Sequence, residues 1–449
     1  MNMPFKFTRN IYHQLILLAI TICSSGCQSL PNTKNKEQVI QNVVAYDQKL
    51  AGNTSDNAQR IEAKLLEKST LTESDAVLYA LSNNAAFKTS LVDLKLAKAD
   101  LVNAGLLPNP ELLFSFAVAD KPYRYAIDLP IEALWLRPIR LRTMQHEADA
   151  TSYRLTQLGL NLIKDVRIAY AQAVLAKERL KVAESSYQLR ENIYALSLKR
   201  LEAGDINGKD ILLAQNDAAI AKRDWELAQY DIDIKMQALL YLLGIAQQQH
   251  HLVLSPNVIP ACNIDEVDSL LTQSIQQRPD ILSAQYSINA AREKIKLTKL
   301  NWLKFTGTAD ATSGAANGHT LGPSIRTTIP IANQNQGMIS RSEAELEKAE
   351  LNFETLKQQA LLEIKTTHLQ YQQSCHDWQV LEDTLIPTAQ KSIQLTEHAY
   401  QKGDISYLQT LEANRQFMDT QMREVQLKAE LIGKYAELMR NISNRADGK

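Results

Sequence analysis

Residues 155–187 read LTQLGLNLIKDVRIAYAQAVLAKERLKVAESSY, and residues 353–385 read FETLKQQALLEIKTTHLQYQQSCHDWQVLEDTL. In the first stretch the apolar or small positions are Leu155, Leu158, Leu162, Val166, Ala169, Ala173, Ala176, Leu180, Ala183 and Tyr187. In the second they are Phe353, Leu356, Ala360, Ile364, Thr367, Tyr371, Ser374, Trp378, Leu381 and Leu385. Both sets step 3-4-4-3-4-3-4-3-4, a heptad with one four-after-four break, at Leu162 to Val166 and at Ala360 to Ile364. A sustained heptad predicts long helices packed side by side, and the break predicts a local change of winding. Pattern and defect coincide, which points to an internal duplication.

The rods extend well beyond the quoted stretches. The first is expected from near Arg142 to Glu202, turning at Ala203-Gly204-Asp205-Ile206, and the second from near Met338 to Lys402, turning at Gly403-Asp404-Ile405. Roughly 60 residues at 1.5 Å each give about 90 Å, far more than a globular domain needs. Returning helices are expected from Ile211 to Leu243 and from Leu408 to Ile442. Upstream of the first rod, one helix is expected from Thr72, a capping residue, to Gly105, with Pro108-Asn109-Pro110 ending it.

Each rod follows an amphipathic hairpin. Leu112, Phe114, Phe116 and Val118 share one face, Ser115 and Ala117 the other; Asp120-Lys121-Pro122 turns the chain, and Tyr123, Tyr125, Ile127, Leu129 and Ile131 return opposite Arg124, Ala126 and Asp128. In the second copy Lys304 to Thr312 goes out, residues 313–320 are expected as a loop, and Leu321, Ile325, Thr327, Ile329 and Ile331 mark the return. Arms of about nine residues suit a tilted membrane strand, and tyrosines near a turn suit the membrane interface. Four strands cannot close a barrel, for which about eight are the minimum, so the barrel is expected to be shared between chains. The fold class is therefore mainly α with a small β part: a duplicated unit of long coiled-coil hairpins plus two β-hairpins contributing to a shared transmembrane barrel.

Lys6 and Arg9 precede an apolar run from Leu15 to Ile22 that ends in Ser24-Ser25-Gly26-Cys27. This is the layout of a bacterial secretory signal over residues 1–26. The small residue before Cys27 resembles a lipoprotein processing site, which implies lipidation of Cys27, and Gln28 after it implies delivery to the outer membrane. An acyl chain anchors a protein without spanning the bilayer. Residues 27–71 are polar and are expected to form an extended, poorly packed arm.

Composition removes other classes. With 49 basic and 50 acidic residues the formal charge is −1, leaving no electrostatic footprint for nucleic acid. After the signal no run approaches the roughly 20 apolar residues of a spanning helix. Cys262 and Cys375 make no disulfide framework and no metal-ligand spacing, and their pairing stays open. His250-His251 sits in a Gln-rich loop and reads as solvated, and no nucleophile elbow, phosphate loop or zinc helix motif appears. No enzyme, no cofactor and no metal site are expected.

The chain resembles the TolC-like outer-membrane factors, the exit ducts of Gram-negative tripartite efflux pumps and type I secretion systems. The resemblance rests on Arg278-Pro279-Asp280-Ile281 with Ala284, Ala290-Ala291 and Ile295, on Gly322-Pro323-Ser324-Ile325 with Ile329-Pro330-Ile331 and Asn335-Gln336-Gly337, and on the Gly-Asp-Ile turns with Leu212, Ala214, Leu411 and Ala413 downstream. It implies a homotrimer with a twelve-stranded barrel and a periplasmic helical tunnel, working with a periplasmic adaptor and an inner-membrane pump. Ala104 to Glu111, with its Pro-Asn-Pro, and the later Asn-Gln-Gly resemble the heavy-metal efflux branch. By the same resemblance the turns at Gly204, Asp205, Gly403 and Asp404 are the tips that meet the adaptor. The resemblance also implies that Asp210 and Glu412 are acids of the periplasmic mouth, with Gln409 at a position where the family tends to carry an acid. Two repeats follow, 72–262 and 263–442, with a tail over 443–449. The alternatives are a duct for drugs or secreted polypeptide, and, from another class, a lipid-anchored coiled-coil structural protein.

Overall fold

The computed structural model describes residues 33–46, 70–116, 123–204, 206–245, 252–263, 266–315, 318–402 and 404–443. In chain order the helices and strands are α1 (Lys36–Ala45), α2 (Glu73–Asn83), α3 (Ala85–Leu91), α4 (Asp93–Gly105), β1 (Glu111–Ser115), β2 (Tyr123–Pro130), α5 (Glu132–Glu202), α6 (Gly208–Leu243), α7 (Val267–Gln277), α8 (Pro279–Leu300), β3 (Phe305–Ala315), β4 (Gly318–Thr327), α9 (Gln336–Val380), α10 (Ile386–Lys402) and α11 (Tyr407–Ile442). The chain forms two compact units that cut across the sequence repeats. One draws on Leu96–Ala148 and Asn289–Ala344, the other on Asn35–Lys95, Asp149–Ile288 and the chain from Glu345 onward.

The first unit holds a four-stranded antiparallel sheet in the order β1-β2-β3-β4. Register sorts its side chains. Leu112 opposes Ile127 and Phe114 opposes Tyr125, while Ala126 opposes Asp310 and Asp128 opposes Thr308, so one face is apolar and the other polar. The apolar face is open to its surroundings: Leu112 is 72% exposed and Ile325 also 72%. Two expectations are corrected here. The second hairpin is longer than read, because β3 runs to Ala315 and β4 starts at Gly318, with a register shift between Thr312 and Ala315. Small side chains leave the backbone free to keep pairing, which unpaired amides favour. Conversely β4 ends at Thr327, so Ile329 and Ile331 lie beyond the strand.

α5 begins at Glu132, ten residues earlier than read, and carries Pro138 inside it. Proline there removes one helical hydrogen bond, but tertiary anchors hold the first turns. The Ile131 amide donates to the Phe305 carbonyl at 2.8 Å, the Phe305 amide donates to Glu132 Oε2 at 3.1 Å, and Arg137 Nε donates to the Gly105 carbonyl at 2.7 Å. Glu293 receives Arg142 at 3.1 Å; burial disfavours its charge, but the hydrogen bonds from Lys296 and Arg142 outweigh that and hold its carboxyl below the usual range.

In the second unit the heptad positions form the core. Leu155, Val166, Ala173 and Ala176 are buried on α5, as are Ala360, Ile364 and Tyr371 on α9. Leu158 and Leu385 are the exposed members of the two seams. Rather than one unbroken second rod, the chain passes through a π-turn at Leu381–Leu385 before α10. Pro387 explains it: the ring has no N–H and crowds the carbonyl four residues back, and a π-turn relieves both.

The upstream helix is likewise three helices. Thr72 and Asp75 form the capping box that starts α2. The break falls at Asn84, whose Oδ1 accepts from the Phe87 amide at 2.9 Å while its Nδ2 donates to the Leu242 carbonyl at 2.9 Å. A second break at Val92 separates α3 from α4.

The arm is corrected most. Residues 36–45 form α1, capped reciprocally by Asn35 and Gln38, with Val39, Val43 and Val44 buried. A Cβ on Gly159 of α5 would stand 2.5 Å from a Val43 methyl, so glycine is what lets α1 lie against the rod. The expectation failed because three valines within six residues are a short signal inside a polar stretch. Cys27 and the signal lie outside the described residues.

A short strap follows α6. The Leu71 amide donates to the Val253 carbonyl at 2.8 Å and the Ser255 amide to the Leu71 carbonyl at 2.9 Å, and the Tyr170 hydroxyl lies 2.7 Å from the Leu71 carbonyl. Burial pushes the Tyr170 phenol up to about 12. Farther along, the Tyr371 hydroxyl donates to the Ala261 carbonyl at 3.0 Å, and Cys262 is disulfide-bonded to Cys375. The pairing that the sequence left open is therefore made.

Candidate functional site

The helical ends where α5 turns into α6 and α10 into α11 gather the sequence-predicted site residues. At the first end the Ala203 amide donates to the Lys199 carbonyl at 3.1 Å and the Gly204 amide to the Leu201 carbonyl at 2.9 Å. Gly204 has φ +79°, the left-handed region, and no atom lies within 4 Å of where its Cβ would be, so glycine answers a backbone need here. Asn207 then caps α6, its Oδ1 accepting from the amides of Lys209 at 3.0 Å and Asp210 at 3.1 Å. Asp210 is the third helical residue and half-buried. An acid in that first turn is favoured by the helix dipole.

The second end repeats the plan with different side chains. The Asp404 amide donates to the Ala399 carbonyl at 3.0 Å, and Ser406 caps α11. Gln409 stands at the third helical residue, the place Asp210 takes in the first copy. Its Oε1 accepts from the Ser406 amide at 3.1 Å, completing a capping box. That accounts for an amide at a position where an acid was looked for: the side chain is turned back onto its own helix end. Glu412 is exposed, its Oε1 accepting from Gln416 Nε2 at 3.2 Å. Among the described residues neither Asp210 nor Glu412 has an ion-pair partner. Asp205 and Gly403 lie outside the described residues.

Sequence reasoning missed what holds the two ends together. Ile193, Ala214 and Tyr400 form a small core, joined by Leu189, Tyr194, Ile405 and Leu411. The Arg200 guanidinium lies 5.1 Å from the centre of the Tyr400 ring, a cation–π contact. Asn414, one turn beyond Leu411 on α11, is buried with neither amide atom partnered. Its seam spacing, Leu411-Asn414-Met418, was the available signal. Higher up, Lys428 of α11 reaches Glu178 of α5 at 3.3 Å and Glu424 at 2.9 Å. Burial opposes its charge, but these carboxylates outweigh it and raise its pKa.

Among the described residues these ends bring together no nucleophile, base and oxyanion donors. What they present is charged and capping side chains at the ends of long helices.

Residues 127–245 and 270–443 match the protein family described as outer membrane efflux protein, each segment covering one copy of the strand-and-rod unit. The probable outer membrane lipoprotein SilC of Salmonella typhimurium is 25% identical over 378 residues, 76% of this chain and 79% of that protein. The cation efflux system protein CusC of Escherichia coli strain K12 is 27% identical over 308 residues, 63% of this chain and 64% of CusC, so that alignment spans just under two thirds of CusC. A crystal structure of CusC shares the fold, with a TM-score of 0.70 at 19% identity over 82% of this chain and 91% of that one.

Proposed function

Since this chain belongs to the outer membrane efflux protein family, we propose that it is the outer-membrane exit duct of a tripartite efflux pump, with metal cations as its cargo. The observation that carries the duct is the sheet: four strands with β1 and β4 as open edges, one face apolar and exposed, the other charged. Open edges with an apolar flank require completion by other copies in a bilayer, and three copies supply twelve strands. The helices support the same assembly. Leu227, Tyr230, Ile234 and Tyr241 form an exposed heptad stripe on α6, and Leu362 and Leu369 continue such a stripe on α9. Metal cargo is supported by relatives named for cation efflux.

The remaining assignments belong to the same reading. Cys27 carries the lipid anchor once residues 1–26 are removed, residues 27–71 link it to the first repeat at 72–262, and the second repeat occupies 263–442 before the 443–449 tail. The turns with Gly204, Asp205, Gly403 and Asp404 meet a periplasmic adaptor, which joins the duct to an inner-membrane pump. Asp210 and Glu412, repeated threefold, ring the periplasmic mouth, while Gln409 contributes a cap and no charge. The chain moves substrates and carries out no catalysis.

A strain deleted for this chain is expected to become hypersensitive to zinc, cadmium, cobalt, copper or silver and to regain tolerance with a restored copy. Hypersensitivity confined to antibiotics and detergents would move the cargo to drugs and leave the duct intact. The double substitution Asp210→Ala, Glu412→Ala is expected to raise the leak conductance of purified protein in planar bilayers, since acids at a mouth both close it and select cations. Unchanged conductance would remove those residues from the gate.

A further inference from the structure

The polar face of the sheet carries charge in an ordered way. Arg124 on β2 grips Asp310 on β3 bidentately, with Nε 3.0 Å and Nη2 2.6 Å from Oδ2 and Nε 3.2 Å from Oδ1. Asp128, four residues along β2 from Arg124, accepts from Thr308 Oγ1 at 2.6 Å and from Arg326 Nη1 of β4 at 3.3 Å. In both pairs the arginine is the exposed member: side-chain exposure is 50% for Arg124 against 28% for Asp310, and 68% for Arg326 against 19% for Asp128. Because Asp128 opposes Thr308, Asp310 is its diagonal neighbour across β2 and β3, a separation of about 7–8 Å. Without their arginines, two carboxylates per chain would stand together on this face.

We propose that Arg124 and Arg326 set the ion selectivity of the outer-membrane stretch, covering Asp310 and Asp128 so that the exit neither retains departing cations nor favours their return. The proposal rests on the duct reading, in which the polar face lines the lumen. Apolar side chains on the opposite face meet lipid, so alternation sends these four residues inward. Carboxylate clusters bind divalent cations through their oxygens, and threefold repetition would multiply any uncovered pair into a ring. A bidentate guanidinium occupies the same oxygens.

The full-length protein, purified and inserted into planar bilayers, is placed under a tenfold KCl gradient, and the shift in reversal potential between wild type and variant is read, so that the periplasmic mouth, common to both, cancels. Arg124→Gln is expected to raise the cation-over-anion permeability ratio about fivefold, the effect of one uncovered unit charge in water at about 4 Å. The shift should shrink at about 1 M salt, where the screening length falls to roughly 3 Å. Asp310→Asn is expected to move the ratio the other way, and the double variant Arg124→Gln, Asp310→Asn to return it to wild type. Zinc or cadmium should block the Arg124→Gln, Arg326→Gln variant at concentrations that leave wild type open.

Equal ratios in wild type, both single variants and the double variant, with no new block, would overturn the selectivity role while leaving the duct in place. Absence of any conductance steps from wild type would overturn the duct reading itself. If Arg124→Gln alone fails to assemble, Asp310→Asn and the double variant still decide the matter.

Discussion

Arg278→Met is expected to lower the unfolding free energy by about 3 kcal/mol, the lower end of the usual cost of breaking a buried ion pair from one side. Arg278 is 2% exposed at the junction of α7 and α8. Its Nε donates to Asp280 Oδ1 at 3.0 Å and its Nη2 to Glu363 Oε2 of α9 at 2.9 Å. Glu363 also accepts from Arg440 Nη1 at 3.0 Å, and Arg440 Nε donates to Asn161 Oδ1 of α5 at 2.7 Å. One guanidinium thus stands at the centre of a network joining both rods to the last helix. Removing it strips Asp280 of its ion-pair partner, leaving only the Ile281 amide at 2.8 Å, while Glu363 keeps Arg440, and those retained bonds are why the lower figure applies. Methionine fills the volume, so the loss reads charge rather than a cavity. Thermal or urea unfolding of detergent-solubilised protein checks the figure, and a loss under 1 kcal/mol would mean the network is not holding the fold.

The same network predicts a pH dependence. Burial works against the Glu363 carboxylate, but Arg278, the hydrogen bond from Gln359 and the charge of Arg440 together outweigh it and hold its pKa below the ordinary value. A carboxyl depressed in the folded state contributes stability that is complete above its unfolded pKa, about 4.3, and is lost as pH falls through the folded value. Acid should therefore erode wild-type stability below that range, and Arg278→Met should flatten the dependence.

Opening the Cys262–Cys375 disulfide is expected to cost about 4 kcal/mol. The bonded residues are 113 apart, and in the chain-entropy account a loop of about 100 residues is worth roughly 4.7 kcal/mol, from which altered native packing subtracts. The bond fastens the segment between α6 and α7 to α9, beside the Tyr371 hydroxyl's bond to the Ala261 carbonyl. Cys375 lies in the core formed by Tyr371, Trp378, Leu381, Leu427 and Leu431. Urea midpoints with and without reductant give the measurement, with Cys262→Ser, Cys375→Ser as the matched control. A midpoint that reductant does not move would show the strap held by packing alone.

What could be read early and what could not divide along a physical line. Capping was legible at Thr72 and at the Gly204 turn, because a cap is decided by residues within one turn of each other. Gln409 was visible as a departure, but its reason, a bond back to Ser406, needed backbone geometry. Pro138 and Pro387 drew no reading from the sequence at all. Each ends a helix in isolation, yet the first is carried inside α5 by anchors from β3 and the second is absorbed by a π-turn. The Tyr400 and Arg200 contact joins side chains from different hairpins, which no local period encodes.

By itself the sequence determined the rods, their duplication and the two-faced strands, because side-chain period is a local property: 3.5 residues for packed helices and 2 for strands survive in any single segment. Tertiary structure alone decided that β2 and β3 meet in the middle of one sheet, that Arg124 finds Asp310, that Cys262 finds Cys375, and that a polar arm contains a helix resting on Gly159. These are pairings between residues far apart in the chain. Which residue meets which depends on the register at which whole elements pack, and register is set by the sum of many weak contacts that no single stretch of sequence contains.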